Sequence, residues 1–272
     1  MALQSVNFNG SSQYATCGDV PTSGLSAFTA EGWFYLDTVV PVTMGLLAKD
    51  GAGGQAWTLA TANNSEVMFR VKNALGGTQV AYYRVPLAPG RWYHVAGVYT
   101  GAVVKVYVNG TAGDVAPAQS GLVFTCSQAV EIGRYSGGGY LDGRCGWARV
   151  SSTARYTANF VAPYLPPKVD ANTQAQWNFT EGSGSSLDNI TGSSTLDGAL
   201  TGGPSWLTDT PWMHTMLDSV HTMELKVGGV DLWANLKQGS FRLKEGEGGQ
   251  ISTLDFELED TTGAIPVKGW VE

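Results

Sequence analysis

Charge is scarce in this chain. Only 14% of its 272 residues are Asp, Glu, Lys or Arg, and no run of Lys and Arg occurs. The formal net charge of −7 offers no basic footprint, which excludes binding led by the phosphates of a nucleic acid. No apolar stretch has the length of a membrane-spanning helix, so none is expected. The opening MALQSVNFNGSSQY lacks the basic region and apolar segment of a secretory signal. The chain is therefore expected to be made and kept in a reducing cytosol. Cysteines number three, Cys17, Cys126 and Cys145, far apart and without metal-ligand spacing. Free buried thiols are expected in preference to a Cys126–Cys145 bridge. Histidines also number three, His94, His214 and His221, too few and too scattered for a zinc site or a triad. No Gly-x-Ser-x-Gly elbow is present, and no long stretch has helical periodicity.

What is abundant is glycine, at 36 residues, and tryptophan, at 9. Few charges with many aromatics and glycines point to an all-β protein with tight turns. RWYHVAGVYTGAVVKVYVNGT, residues 91–111, shows the pattern. Val104, Val106 and Val108 share one strand face, and Trp92, His94, Ala96 and Val98 share a face of the strand before. Asn109-Gly110 supplies the positive φ angles of a two-residue hairpin turn. The same alternation predicts strands at 3–8, 12–17, 27–36, 43–48, 56–61, 66–71, 78–85, 91–99, 103–109, 128–133 and 144–150. Turn clusters such as Asp-Gly-Ala-Gly-Gly at 50–54 and Ser-Gly-Gly-Gly at 136–139 separate them. Many short strands at this spacing predict a sandwich or jelly roll.

The order of motifs is more specific than any one of them. VNFNGSSQYATC (6–17), FTAEGWFYLD (28–37), RWYHVAGVY (91–99), VYVNG (106–110) and VEIGRYSGGGYLDGR (130–144) follow one another. Together they resemble the laminin G-like, concanavalin A-like jelly roll. In the last strand, DGRCGWARV, the acidic pair usual in that family is missing, so any site built on it is in doubt here. Residues 170–207 resemble a segment that usually precedes the opening strand. Here they are expected to supply closing strands near the N-terminal one, giving a jelly roll over 1–208. A linker over 209–222 and a small β-rich docking module over 223–272 complete the expected organisation. From Met213 onward there are 10 acidic and 5 basic residues. A module this small has a marginal core and is expected to dock on a partner or on copies of itself.

The resemblance also frames the chemistry. Retaining glycosidases need two carboxyls about 5 Å apart. The candidate strand offers only Glu31 and Asp37, separated by Trp33 and Tyr35, while Glu257 and Glu259 sit on a solvent-type face of the small module. No enzymatic activity is expected. Glu31, a carboxylate inside an apolar strand, is read as a paired structural group rather than an acid or ligand. His94 is read as a satisfied structural histidine. The resemblance implies a Ca²⁺ site at the sandwich edge, which suits carboxylate and carbonyl oxygens. Of the loop aspartates Asp19, Asp50, Asp114 and Asp142, the candidates are Asp50 and Asp142; the competing reading is that Asp-Gly is turn chemistry. For sugar binding the candidates are Arg134, Tyr135 and Tyr140, with Tyr83 as the outward member of the Tyr82-Tyr83 pair. The same tyrosines could equally pack on a neighbouring subunit.

The C-terminal strands loosely resemble bacteriophage tail-tip and baseplate proteins. The expected role is a virion structural protein of a tailed phage, assembled in the host cytoplasm. Its partners would be other virion subunits or itself, as in a trimeric homo-oligomer, or a host surface glycan. The alternative is a cellular carbohydrate-binding or adhesion module.

Overall fold

A computed structural model describes residues 3–38, 43–51, 54–118, 120–135 and 138–211, and beyond these only the backbone of four short strands. All eleven predicted strands are present. β1 (Ser5–Asn9), β3 (Phe28–Leu36), β8 (Arg91–Tyr99), β9 (Val104–Val108), β10 (Thr111–Val115), β12 (Asp142–Ser151), β13 (Thr173–Trp177) and β16 (Ser205–Leu207) form one antiparallel sheet, here sheet A. Their order is β10-β9-β8-β3-β12-β1-β16, with β13 also paired to β12. Sheet B comprises β2 (Tyr14–Thr16), β4 (Gly45–Gly51), β5 (Gly54–Thr61), β6 (Val67–Lys72), β7 (Thr78–Tyr83), β11 (Glu131–Ile132), β14 (Ser186–Leu187) and β15 (Gly198–Thr201). Its order is β14-β15-β2-β11-β4-β5-β6-β7. The result is a jelly-roll β-sandwich.

Alternation explains the core between the sheets. Val104, Val106 and Val108 turn inward, with Leu47, Leu59, Phe69 and Ala81 from sheet B. Phe28, Trp57, Phe69 and Tyr99 pack ring to ring at centroid distances of 5.7–6.3 Å. Asn109 and Gly110 take φ of 49° and 78°, as the hairpin turn requires. β10 was missed by the sequence reading because Thr111–Val115 is almost wholly exposed and has no apolar alternation. The 170–207 segment contributes β13, β14, β15 and β16, which pair with β12, β15, β2 and β1.

Sheet A is buried on both faces. Trp92, His94, Ala96 and Val98 do share a face, but it points away from the inter-sheet core, under residues 152–165. That covering segment is pinned by main-chain acceptors. The Trp33 indole donates to Pro163 O at 2.7 Å, the Thr29 hydroxyl to Thr153 O at 2.7 Å, and Phe160 N to Gly110 O at 3.0 Å. Tyr156 and Phe160 stack at 3.5 Å over the sheet. In sheet B, β4 and β5 are buried nearly throughout, whereas β6 and β7 leave their outward residues partly exposed.

The chain divides into two compact units, residues 1–215 and 216–272. Asp209, expected to begin the linker, belongs to the sandwich: Arg144 pairs with its carboxylate, and the Ser5 hydroxyl donates to its carbonyl. Thr210 and Pro211 are buried there as well. The rest of the expected linker lies outside the described residues. The second unit contains two hairpins, β17 (Lys226–Val227) with β18 (Val230–Asp231) and β19 (Arg242–Glu245) with β20 (Ile251–Asp255). Glu257 and Glu259 lie outside the described residues. Among the described residues no helix is long and apolar enough to cross a membrane. Cys17, Cys126 and Cys145 are buried and free, as expected.

Candidate functional site

Two constellations hold the chemistry-bearing side chains, one sealed and one open. The sealed one is built on the outer face of sheet A. Cross-strand register sets Glu31 opposite Ala96 and Arg149, and Trp33 opposite His94 and Trp147. Arg149 donates from Nε and Nη2 to Glu31 Oε1 at 2.9 and 2.6 Å, and Tyr156 donates its hydroxyl to Oε2 at 2.7 Å. The Glu31 side chain is fully buried and Arg149 nearly so. Glu31 is thus the paired structural carboxylate its sequence position implied.

His94 departs from expectation. Its Nε2 lies 3.2 Å from Glu31 Oε2 as an ion-pair contact, and among the described residues neither ring nitrogen makes a further hydrogen bond. The ring is also held by Trp33, Trp147, Tyr156 and Phe160, all with centroids within 6.5 Å. Ring packing and the contact with Glu31 together fix it.

Burial alone would raise the Glu31 carboxyl. The His94 ring, the Arg149 guanidinium and the Tyr156 hydroxyl outweigh burial and hold it below its ordinary value of 4.5. A lowered folded value means that the stabilisation is fully present above the unfolded value and is lost as pH falls through the folded one. Thermal melts of the protein are therefore expected to be steady at pH above the ordinary carboxyl value of 4.5 and to fall once the pH drops below it. The fall should be shallower in Glu31→Gln. An acid limb identical in the two proteins would remove Glu31 from the account.

The open constellation lies on the outward face of sheet B. The register Gly45–Ala60–Met68–Tyr82 runs across β4, β5, β6 and β7. Ala81 and Tyr83 pack toward the inter-sheet core. Period-2 alternation then turns Tyr82 outward, while Tyr83, the expected ligand tyrosine, faces the core. Around Tyr82 a cleft of about 380 Å³ is lined by Thr43, Asn63, Glu66, Met68, Tyr82 and Arg84. Arg84 stacks its guanidinium on the Tyr82 ring at 4.2 Å. It donates from Nε to Asp114 at 2.9 Å and from Nη1 to Glu66 at 3.1 Å. Asp114 reaches across from β10 of the other sheet because Gly113 allows its backbone to close against Tyr82 O; a Cβ there would come within 2.5 Å of that oxygen.

At the other end of the row, Gly45 faces the Arg134–Tyr135 peptide. A Cβ at 45 would run into the Arg134 carbonyl carbon and the Tyr135 amide nitrogen. The close approach seats Arg134 over the Tyr14 ring at 3.4 Å, with Tyr140 at 5.9 Å, while Tyr14 and Tyr140 stand 6.0 Å apart. Arg134 is bound through both Nε and Nη2 to Glu131, whose hydrogen bonds raise the guanidinium further above its ordinary range. Tyr135 N donates to Gly138 O at 3.2 Å and Gly138 N to Tyr135 O at 2.9 Å, closing the hairpin, and Gly45 N donates to Gly139 O at 2.7 Å. Thr43 lies both in the Tyr82 cleft and beside Gly139, so the two tyrosine groups share one rim. Residues 136 and 137 of that loop lie outside the described residues. The structure thus brings together Arg134, Tyr135 and Tyr140 and adds Tyr14, Tyr82, Arg84, Glu66 and Asn63.

The two candidate metal ligands do not share a site. Asp50 lies in β4, not in a loop; its carboxylate is buried and is held by Arg70 and by the Thr58 hydroxyl at 2.8 Å. Asp142 opens β12 beside Asn9 and accepts from the Thr38 hydroxyl at 2.6 Å. Asp50 is five residues along β4 from the Gly45 end, roughly 16 Å away along the strand. Among the described residues, no group of three or more His, Cys, Asp or Glu is placed to hold a metal ion.

The chain matches the family model described as the concanavalin A-like lectin/glucanases superfamily over residues 9–159, more than half its length. Among curated proteins no sequence matches it. Its structure is similar to that of a protein from Bacteroides ovatus provisionally described as carbohydrate-binding, with a TM-score of 0.57 at 19% identity, over 77% of this chain and 60% of that one. The mouse laminin alpha1 chain, domains LG4-5, is similar at a TM-score of 0.45 and 18% identity, over 62% of this chain and 48% of that one. A heptameric pentraxin from Limulus polyphemus gives 0.44 at 15%, over 57% and 78%. At such identities the likeness concerns the fold.

Proposed function

We propose, from the premise that this chain belongs to the concanavalin A-like lectin/glucanase superfamily, that its sandwich is a non-enzymatic carbohydrate-binding module. The sugar would sit on the outward rim of sheet B. The observation that supports this is the row from the Tyr14–Arg134–Tyr140 cluster to the Tyr82 cleft. Aromatic rings with adjacent amide, carboxylate and guanidinium groups are what a polyol needs: faces for C–H surfaces and donors and acceptors for hydroxyls. Gly45 to Tyr82 spans three strand spacings, roughly 14 Å, which suits an oligosaccharide better than a single sugar.

Binding is favoured over hydrolysis by the geometry of the carboxylates. Glu66 and Asp114 are both engaged by the one guanidinium of Arg84, and Glu31 is sealed beneath residues 152–165. The test is a glycan array followed by titration calorimetry on the strongest binder. Tyr82→Ala is expected to weaken binding at least tenfold, about 1.4 kcal/mol. Leu75→Ala is expected to change nothing; this leucine is 85% exposed in the turn after β6, at the opposite end of that strand from the cleft. Equal affinity of Tyr82→Ala and the parent would move the site elsewhere. An EDTA arm reads the calcium dependence that the family implies; no change is expected, because Asp50 and Asp142 are each engaged within the protein and stand apart.

A finer reading makes this module part of a tailed-phage virion, assembled in the host cytoplasm and displayed for host attachment. It rests on the loose resemblance of the C-terminal segment to tail proteins and on that segment's being a separate unit. Self-association of that unit, as in a trimer, is its simplest consequence. A monomeric mass for the full chain in solution would count against it.

A further inference from the structure

The guanidiniums on the outward face of sheet B are already paired with carboxylates, while Lys72, at the far end of β6 from the Tyr82 cleft, lies over the Phe124 ring at 4.1 Å. Arg70 is paired with Asp50, Arg84 with Glu66 and Asp114, and Arg134 with Glu131. Three guanidiniums therefore face four carboxylates, and none of the three is left without an acidic partner. The whole chain has the same sign, at −7. A carboxylated or sulfated sugar needs an unpaired cation or a positive potential. Along the rim from Tyr14 to Tyr82 it would have to displace a carboxylate already held by Arg84 or Arg134, against a net negative charge.

A neutral sugar meets no such obstacle. Each hydroxyl both donates and accepts. It can accept from Arg84, whose side chain is 57% exposed and whose Nη2 is used by neither carboxylate. It can donate to the second oxygen of Glu66. Asn63 lines the same cleft, exposed, and its side-chain amide makes no hydrogen bond among the described residues. One donor, one acceptor and one group that does both thus converge beside the Tyr82 ring.

We infer that this face selects neutral oligosaccharides and rejects acidic ones, with Glu66 and Asp114 as the groups that set the selection. The inference rests on the sugar-binding reading above. The experiment uses the full chain and two sets of immobilised probes. The neutral set is gluco-, manno-, galacto-, xylo- and arabino-oligosaccharides; the acidic set is sialyllactose, galacturonate oligomers and heparin.

The parent protein is expected to bind within the neutral set only, with affinity changing less than about twofold between 50 and 500 mM NaCl. The double variant Glu66→Gln/Asp114→Asn changes the balance of the three guanidiniums and their partners from one excess negative to one excess positive charge. It is expected to gain at least tenfold toward the acidic set, with the gain disappearing at high salt. Asp114 is exposed and Glu66 is mostly buried, and an unchanged thermal midpoint would show that the variant folds. Binding of the acidic set by the parent, or no gain in the double variant, would overturn the inference while leaving sugar binding in place. Binding of neither set by either protein would overturn the sugar-binding reading itself, and the inference with it.

Discussion

Glu31→Ala is expected to lower the stability of the sandwich by about 3–5 kcal/mol, the range for removing one member of a buried ion pair. The loss comes less from the missing bonds than from what stays behind. Arg149 would remain nearly fully buried with no carboxylate within reach of Nε and Nη2. The Tyr156 hydroxyl would lose its acceptor, loosening the segment that covers Trp33 and His94. Urea unfolding followed by tryptophan fluorescence measures the effect. A second arm separates charge from shape: Glu31→Leu with Arg149→Met removes both ions, and apolar replacement of a buried pair is often neutral. The double variant is therefore expected to be more stable than Glu31→Ala alone. A loss under about 1 kcal/mol in Glu31→Ala would mean that Arg149 finds another partner or water.

Gly45→Ala is the second large effect, and it acts on the fold and the rim together. The added methyl meets backbone, the Arg134–Tyr135 peptide, and not the yielding end of a side chain. Either β4 shifts against β5 or the 134–140 hairpin lifts off the sheet. Overpacking of this kind costs about 1–3 kcal/mol. Lifting the hairpin would also unseat Arg134 from the Tyr14 ring, so sugar affinity is expected to fall by tenfold or more along with the thermal midpoint. Gly138→Ala, in the same hairpin but with no atom within 4 Å of the added carbon, is the control and should change neither. If Gly45→Ala melted and bound like the parent, the rim would not depend on this close approach.

The alternation of apolar residues was sufficient to locate eleven strands, because the side-chain period of a strand is two whatever its partners are. The Asn109-Gly110 turn was legible for an equally local reason: few residues tolerate its positive φ. The acidic balance and the missing basic runs were also plain in the text of the chain. Even Tyr82 was within reach, since Ala81 on the core face obliges Tyr83 to share that face; weighing the two tyrosines without their strand neighbours hid it.

Other features required contacts between residues far apart in sequence. Nothing near Glu31 announces that Arg149 and Tyr156 will close on it; their separations of 118 and 125 residues are bridged by the β3–β12 register and by the covering segment. Nothing near Asp50 announces Arg70, which turns a supposed loop ligand into a buried structural ion. The close packing of β10 against β7 of the other sheet brings Asp114 to Arg84, and Gly45 lets Arg134 reach Tyr14. Local chemistry fixes where a strand begins, which face is apolar and where it can turn. Which charges meet across the sheets is decided by long-range register and close backbone approach, and on this protein those two decide which groups are left to meet a ligand.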